Sequence, residues 1–211
     1  YSNEHCISKI NTDGSNLTEY CDGIDSPRHL LISSDGTKIW FTAAFSGVSW
    51  NLYEYIISTS TVNYLVANAS IAARSSDASV FVYNHSISGA NQLTLSTPNN
   101  TTHFTSDDNA SKMPVFSPDD SFIYYVSGLH ASGTEDIYRY EIASNQNTRL
   151  TNFNEGIRSL DVSSDGMNLV FLIGQERVYT MNADGSNLQE IIQNNIGNDF
   201  QLLTKVVFQP Y

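Results

Sequence analysis

Short segments in which hydrophobic and polar residues alternate run along almost the whole chain. They are rich in Tyr, Phe, Val, Ile, Thr and Ser, as in Asp136–Ala143. A period of two with these residue types is typical of β-strands. The 3.6-residue period of amphipathic helices is not visible in these segments. The pattern therefore predicts an all-β protein.

A turn motif follows a short apolar run at regular intervals. The copies are Ser34-Asp35-Gly36, Ser76-Asp77, Pro118-Asp119-Asp120 and Ser164-Asp165-Gly166, and a fifth begins at Phe208-Gln209-Pro210. Positions 34, 76, 118, 164 and 210 are separated by 42, 42, 46 and 46 residues. This period is the length of one four-stranded propeller blade. The repeat predicts a β-propeller of about five four-stranded blades.

The repeats predict a single propeller domain over residues 1–211. Its repeats cover about 28–67, 68–110, 111–156 and 157–200, and residues 1–24 and 204–211 form a composite or incomplete blade. Ile7–Gly14 matches Val178–Gly185, so the chain starts in the third strand of a blade. Either the ring closes with a defective blade or residues outside this chain complete it, and the second interpretation is favoured. The repeat at 68–110 is the most degenerate, and we expect irregular outer strands there.

The charge balance narrows the class of partner. The chain has 22 acidic and 10 basic residues and a net charge of −12. Nucleic acid binding requires a basic surface, so nucleic acid is not expected as a partner. Hydrophobic residues make up 40%, enough for a sizeable core, and no run of 18 apolar residues predicts a membrane span. The exposed edge of an incomplete blade makes a strand-sharing dimer an open alternative.

Three segments resemble the WD-like repeat of the TolB propeller family. They are Asp136-Ile137-Tyr138, Arg149-Leu150-Thr151 and Ser163-Ser164-Asp165-Gly166. The resemblance covers nearly the whole chain and implies the propeller fold and a periplasmic or extracellular location. Such repeats occur in the periplasmic Tol subunit, in prolyl-oligopeptidase-type peptidases and in secreted proteins. The sequence departs from the Tol subunit in that it contains no α/β domain, and from the peptidases in that it contains no hydrolase domain.

No catalytic motif is recognisable. The sequence contains no G-x-S-x-G elbow, P-loop or dinucleotide fingerprint. The five histidines show no H-x-x-x-H spacing, so neither a metal nor a cofactor is predicted. We therefore expect a non-catalytic scaffold that recognises a protein or peptide. The alternatives are the accessory propeller of a prolyl-oligopeptidase-type peptidase, and a metal-dependent polysaccharide-active propeller enzyme.

Three of the ten cations fall at one position of the repeat. The residues six before each turn landmark are Arg28, Ser70, Lys112, Arg158 and Thr204. This position precedes the innermost strand, where loops ring the mouth of the central channel. The candidate ligand-binding residues are the cations at this position, Arg28, Lys112 and Arg158. His29 and Lys205 are added because each is next to this position in its repeat. Converging cations would bind an anionic ligand or a peptide carboxylate, whereas the alternative is a loop position that tolerates any polar residue.

Two further sets of residues have structural interpretations. Cys6 and Cys21 flank the Asp13-Gly14 turn, and a two-residue hairpin loop would place them opposite each other. A disulfide between them is then possible in an oxidising compartment, whereas a bulged turn would shift the register and prevent it. The recurring Asp35, Asp77, Asp119 and Asp165 are interpreted as turn formers, because aspartate hydrogen-bonds its own backbone.

Overall fold

The fold is an all-β propeller, as the repeat predicted. The computed structural model describes residues 6–20, 27–33, 35–44, 50–87, 90–97, 100–105, 109–129, 134–153, 155–174, 177–193 and 207. Every regular element in these ranges is a β-strand. Nowhere in them is there a helix long and apolar enough to cross a membrane.

The described strands form four four-stranded antiparallel sheets and one two-stranded sheet. The two-stranded sheet pairs β1 (Ile7–Lys9) with β2 (Thr18–Tyr20). Blade 1 consists of β3 (Arg28–Ile32), β4 (Lys38–Ala43), β5 (Asn51–Ile56) and β6 (Thr61–Val66). Blade 2 consists of β7 (Ala69–Arg74), β8 (Phe81–Ile87), β9 (Ala90–Ser96) and β10 (Thr101–His103).

Blades 3 and 4 repeat the same meander. Blade 3 consists of β11 (Asn109–Phe116), β12 (Phe122–Leu129), β13 (Glu135–Glu141) and β14 (Gln146–Arg149). Blade 4 consists of β15 (Ile157–Val162), β16 (Asn168–Ile173), β17 (Arg177–Asn182) and β18 (Gln189–Gln193). In each blade the strands pair in chain order. The first strands β3, β7, β11 and β15 lie beside one another in sequence order, which makes them the inner strands.

The hydrophobic core lies between neighbouring blades. Blades 3 and 4 share a cluster that contains Tyr124, Val126, Ile137, Ile157, Leu169, Phe171, Ile173 and Met181. Similar clusters join blades 2 and 3 and blades 1 and 2. Ile7 of β1 packs on the free side of blade 1. Each blade is therefore stabilised by the face it presents to its neighbour, as expected of stacked repeats.

The second repeat is more regular than expected from its sequence. Its third strand β9 has seven residues and pairs with β8 along its whole length. Only the outermost strand β10 is short, with three residues. The expectation of irregular outer strands is therefore wrong for β9, because its Leu93 and Leu95 are buried in the core shared with blade 3 and hold the strand in place.

The interpretation of the recurring aspartates as turn formers is confirmed. In blade 1 the Ser33 hydroxyl donates to Asp35 Oδ1 at 2.7 Å, and the Thr37 backbone N–H donates to the same oxygen at 3.0 Å. The same two bonds recur at Asp77, Asp119 and Asp165. These bonds lower the pKa of all four carboxyl groups, that of Asp35 to about 2.

These pKa shifts predict a loss of stability in acid. A carboxylate whose pKa is lower in the folded chain stabilises the fold fully above its unfolded-state pKa, near 3.8. That contribution disappears as the pH falls through the folded-state values, so the melting temperature should drop between about pH 4 and pH 2. In a variant with asparagine at all four turn positions, the melting temperature should change less with pH in this range. An equally steep curve for the variant would contradict the prediction.

Candidate functional site

A cleft of about 450 Å³ lies between blades 1 and 2. It is at the end of the inner strands away from the Ser-x-Asp turns, because Arg28 begins β3 whereas Ser33 follows its end. The lining residues are Arg28, His29, Trp50, Asn68, Ala69, Ser70, Asn84 and Asn91. We call this the blade 1–2 cleft. One cation, one indole and several neutral polar groups line it, and none of these residues is acidic.

Arg28 provides the charge of the blade 1–2 cleft. Its guanidinium carbon lies 4.5 Å from the centre of the Trp50 ring, a cation–π contact. Trp50 is 37% exposed and its carbonyl accepts the Ala69 N–H at 3.0 Å, which ties the indole to β7. No acidic side chain in the described part of the chain forms an ion pair with Arg28.

A β-bulge directs His29 toward the same cleft. His29 has a φ of 51°, in the left-handed region that few non-glycine residues occupy. It lies in the bulge between Arg28 and Leu31, and its Nδ1 is 3.1 Å from Ser70 Oγ of blade 2. Bulges re-aim side chains beside functional sites. The contact with Ser70 joins the two blades at the cleft.

All four described inner strands carry a bulge near this end. Register shifts lie between Arg28 and Leu31, Ile71 and Ala73, Lys112 and Val115, and Ile157 and Ser159. The cation position found in the sequence therefore coincides with the start of a repeated bulge. None of these bulges contains a glycine, and Pro114 in the bulge of β11 is the one residue of the four bulges that indicates such an irregularity.

Asparagines complete the polar lining. Asn68 has a φ of 51° and its backbone N–H donates to Asn51 Oδ1 at 3.1 Å, which fixes the loop before β7. Asn84 of β8 and Asn91 of β9 lie on the blade 2 side. Amide groups donate and accept hydrogen bonds equally well. The cleft can thus bind a carboxylate at Arg28 and neutral polar groups beside it.

The other predicted ligand-binding residues have different surroundings. Lys112 Nζ forms an ion pair with Glu135 Oε1 at 2.6 Å, and Glu135 Oε2 accepts the Ile157 N–H at 2.7 Å. The charge of Lys112 is therefore largely neutralised by a neighbour. Arg158 is exposed at the bulge of β15, and Lys205 lies outside the described residues. Of the four candidates that the structure describes, the cleft brings together Arg28 and His29.

Six of the eight lining residues were not predicted as ligand-binding residues. Trp50 precedes the third strand of blade 1, and Asn68, Asn84 and Asn91 come from blade 2. Trp50 and Asn91 share one position of the repeat, which Glu135 occupies in blade 3, but the residue type differs in each blade, so comparison of the repeats does not mark this position. The indole of Trp50 beside a strand start was the one available signal.

Metal-ligating side chains do not gather in large clusters in the described part of the chain. No group of three or more His, Cys, Asp or Glu side chains there is arranged to hold a metal ion. Cys6 is disulfide-bonded. Cys21, the only other cysteine of the sequence, lies outside the described residues.

Solved structures with the same fold include TolB proteins, oligogalacturonate lyases and peptidases. A TolB protein of Agrobacterium tumefaciens is 18% identical, with a TM-score of 0.59 over 90% of this chain and 83% of that one. An oligogalacturonate lyase of Vibrio parahaemolyticus is 14% identical, with a TM-score of 0.66 over 93% and 62%. Dipeptidyl peptidase 4 of Porphyromonas gingivalis is 10% identical, with a TM-score of 0.65 over 91% and 39%.

At these identities the similarity shows the propeller fold alone. This chain spans less than two thirds of the lyase and of the peptidase. No protein-family model and no curated protein sequence matches it. The function therefore has to be argued from the residues of the cleft.

Proposed function

We propose that this protein is a non-catalytic recognition scaffold of the TolB-like propeller type. It binds an extended segment of a protein or peptide in the blade 1–2 cleft. The observation that carries the proposal is the Arg28 guanidinium, which lies on Trp50 without an acidic partner among the described residues. A carboxylate can accept two parallel hydrogen bonds from such a guanidinium.

The charge of the whole protein limits what that ligand can be. With a net charge of −12, the surface repels a strongly acidic segment before it reaches the cleft. A single carboxylate in an otherwise neutral or basic segment avoids this repulsion. His29, Ser70 and the asparagines then bind the neutral backbone amides beside the carboxylate. We expect the ligand to carry one acidic group or a free C-terminus.

Fluorescence anisotropy with rhodamine-labelled ten-residue peptides tests this proposal. The peptides come from a displayed library selected on the wild-type protein, and each is also made with its single carboxylate replaced by an amide. We expect Arg28→Ala and the amide peptide each to weaken binding at least tenfold, which corresponds to about 1.4 kcal/mol. Arg74→Ala is the matched control, because Arg74 is an exposed cation at the opposite end of β7.

The control variant should bind within twofold of the wild type. Selected peptides that bind equally well to Arg28→Ala would remove the cleft from the proposal. Cleavage of any selected peptide on prolonged incubation would contradict a non-catalytic function.

Two enzyme functions are alternatives favoured by the fold similarity. An accessory propeller of a peptidase predicts a hydrolase domain in the same native polypeptide, which the mass of the protein from its source would reveal. A metal-dependent polysaccharide-active enzyme predicts turnover of oligogalacturonate in the presence of manganese. If the native polypeptide has no hydrolase domain and oligogalacturonate is not turned over, both alternatives are excluded and the recognition scaffold stands.

We also propose a periplasmic or extracellular location. The disulfide at Cys6 supports it, because structural disulfides persist mainly in oxidising compartments. Alkylation of the native protein without reduction should leave Cys6 unmodified. Modification of Cys6 under these conditions would argue for a reducing compartment.

A further inference from the structure

Two histidines lie together on blade 2, apart from any role in the proposed function. His85 is on β8 and His103 is on β10, with β9 between them. Their ring centroids are 6.3 Å apart and the ring planes differ by 29°. Both side chains project from strands of one hydrogen-bonded sheet. The pair is thus held by backbone pairing rather than by a loop.

The His103 ring is fixed by a buried hydroxyl. Thr94 of β9 is fully buried and its Oγ1 lies 2.6 Å from His103 Nδ1. When the Thr94 hydroxyl accepts a hydrogen bond from the Nδ1–H of His103, the Nε2 atom of His103 has a lone pair available for a metal ion. Metal-binding histidines are commonly oriented in this way by a partner at the other ring nitrogen. His103 itself is exposed, so an ion can reach it from solvent.

His85 has an unpartnered nitrogen in its buried part. Its Nδ1 is buried and has no hydrogen-bond partner, the sole side-chain atom of this kind in the described ranges. Buried polar atoms of native proteins are nearly always paired, so this nitrogen calls for a partner.

We propose that His85 and His103 together bind one divalent transition-metal ion of the zinc type. Two imidazoles bound at about 2.0–2.1 Å to one tetrahedral zinc ion have ring centroids roughly 5 Å apart. The observed separation of 6.3 Å is wider, and a small rotation of the exposed His103 side chain brings the two rings to that distance. Imidazole ligands favour Zn²⁺, Ni²⁺ and Cu²⁺ over Mg²⁺ and Ca²⁺. Water completes the coordination, since no third His, Cys, Asp or Glu joins the pair within the described residues.

Isothermal titration with ZnCl₂ tests the site. The protein is prepared without a histidine tag, treated with EDTA and dialysed. We expect one ion per chain, bound with micromolar affinity because only two protein ligands contribute. His103→Ala should weaken binding at least tenfold, and since His103 is exposed, this variant is expected to fold. His130→Ala removes another histidine of the chain and should leave the affinity within twofold.

A second measurement separates loss of the site from loss of the fold. Circular dichroism should give the same spectrum for His103→Ala and for the wild type, and zinc should shift the imidazole ¹⁵N resonances of both His85 and His103. The proposal is overturned if the wild type binds no zinc, or if His103→Ala binds it with unchanged affinity and stoichiometry. Magnesium should produce no binding in any variant. None of these outcomes depends on peptide binding at Arg28.

Discussion

Replacing Phe171 by alanine is expected to lower the free energy of unfolding by about 4 kcal/mol. Phe171 is on β16, is fully buried and belongs to the cluster shared by blades 3 and 4. Its ring stacks on Tyr179 with a centroid distance of 5.7 Å and also contacts Phe153 at 5.7 Å. Alanine would remove both contacts and leave a cavity that the rigid strands on either side cannot close.

Urea denaturation followed by far-ultraviolet circular dichroism, which reports on the strands of all blades, measures this effect. Phe171→Leu is expected to lose a smaller part of the stability, since leucine fills much of the same volume. Met167→Ala is the control, because Met167 is 68% exposed in the turn of the same blade. Its midpoint should remain close to that of the wild type. A midpoint for Phe171→Ala that equals the control would show that blades 3 and 4 do not share a cooperative core.

The propeller could be predicted from sequence because its determinants are local and repeated. A Ser-x-Asp turn every 42–46 residues requires only the chemistry of one short segment, and the structure contains that turn in each of the four blades. The turn also accepts different residues at its left-handed position. Gly36 and Gly166 occupy it in two blades, and Ala78 and Asp120 in the others. The turn is therefore present in all four blades, although only two of them have glycine at this position.

The site was less predictable, because it depends on contacts between blades. Arg28 and His29 were found from a repeat position, and the structure places both in the cleft. Lys112 occupies the same repeat position, but Glu135 of another strand pairs with it. Trp50 occupies in blade 1 the position that Glu135 occupies in blade 3, so the same repeat position gives a cation–π contact in one blade and an ion pair in the other. The side chains that decide which cation remains available come from distant segments, and the repeat says nothing about them.

In blade 3 the segments that resemble the TolB repeat are hydrogen-bonded to each other. Asp136, at the start of the Asp-Ile-Tyr segment, is only 7% exposed. Its carboxylate accepts hydrogen bonds from Thr151 Oγ1 at 3.0 Å, from the Phe153 N–H at 2.7 Å and from Arg149 Nη2 at 2.6 Å. Thr151 and Arg149 belong to the Arg-Leu-Thr segment. The two segments therefore form one hydrogen-bonded unit that fixes the chain after β14.

Part of this hydrogen-bonded unit is also present in blade 2. There the Leu93 N–H donates to Thr105 Oγ1 at 2.9 Å, as the Ile137 N–H donates to Thr151 Oγ1 at 2.9 Å in blade 3. Gln92 precedes Leu93 where Asp136 precedes Ile137. A threonine thus anchors the third strand in both blades. The buried carboxylate is the addition of blade 3, where it also binds the backbone of the following connection.

Replacing Asp136 by alanine is accordingly expected to cost about 3 kcal/mol of the free energy of unfolding. The substitution leaves the Phe153 N–H and the Arg149 guanidinium without their acceptor. The Arg149 side chain is 48% exposed, so water can replace its bond, and Arg149→Ala should cost no more than about 1 kcal/mol. Thermal and urea denaturation of both variants measure the difference. Equal losses would mean that the ion pair, and not the buried backbone bond, carries the stability of this unit.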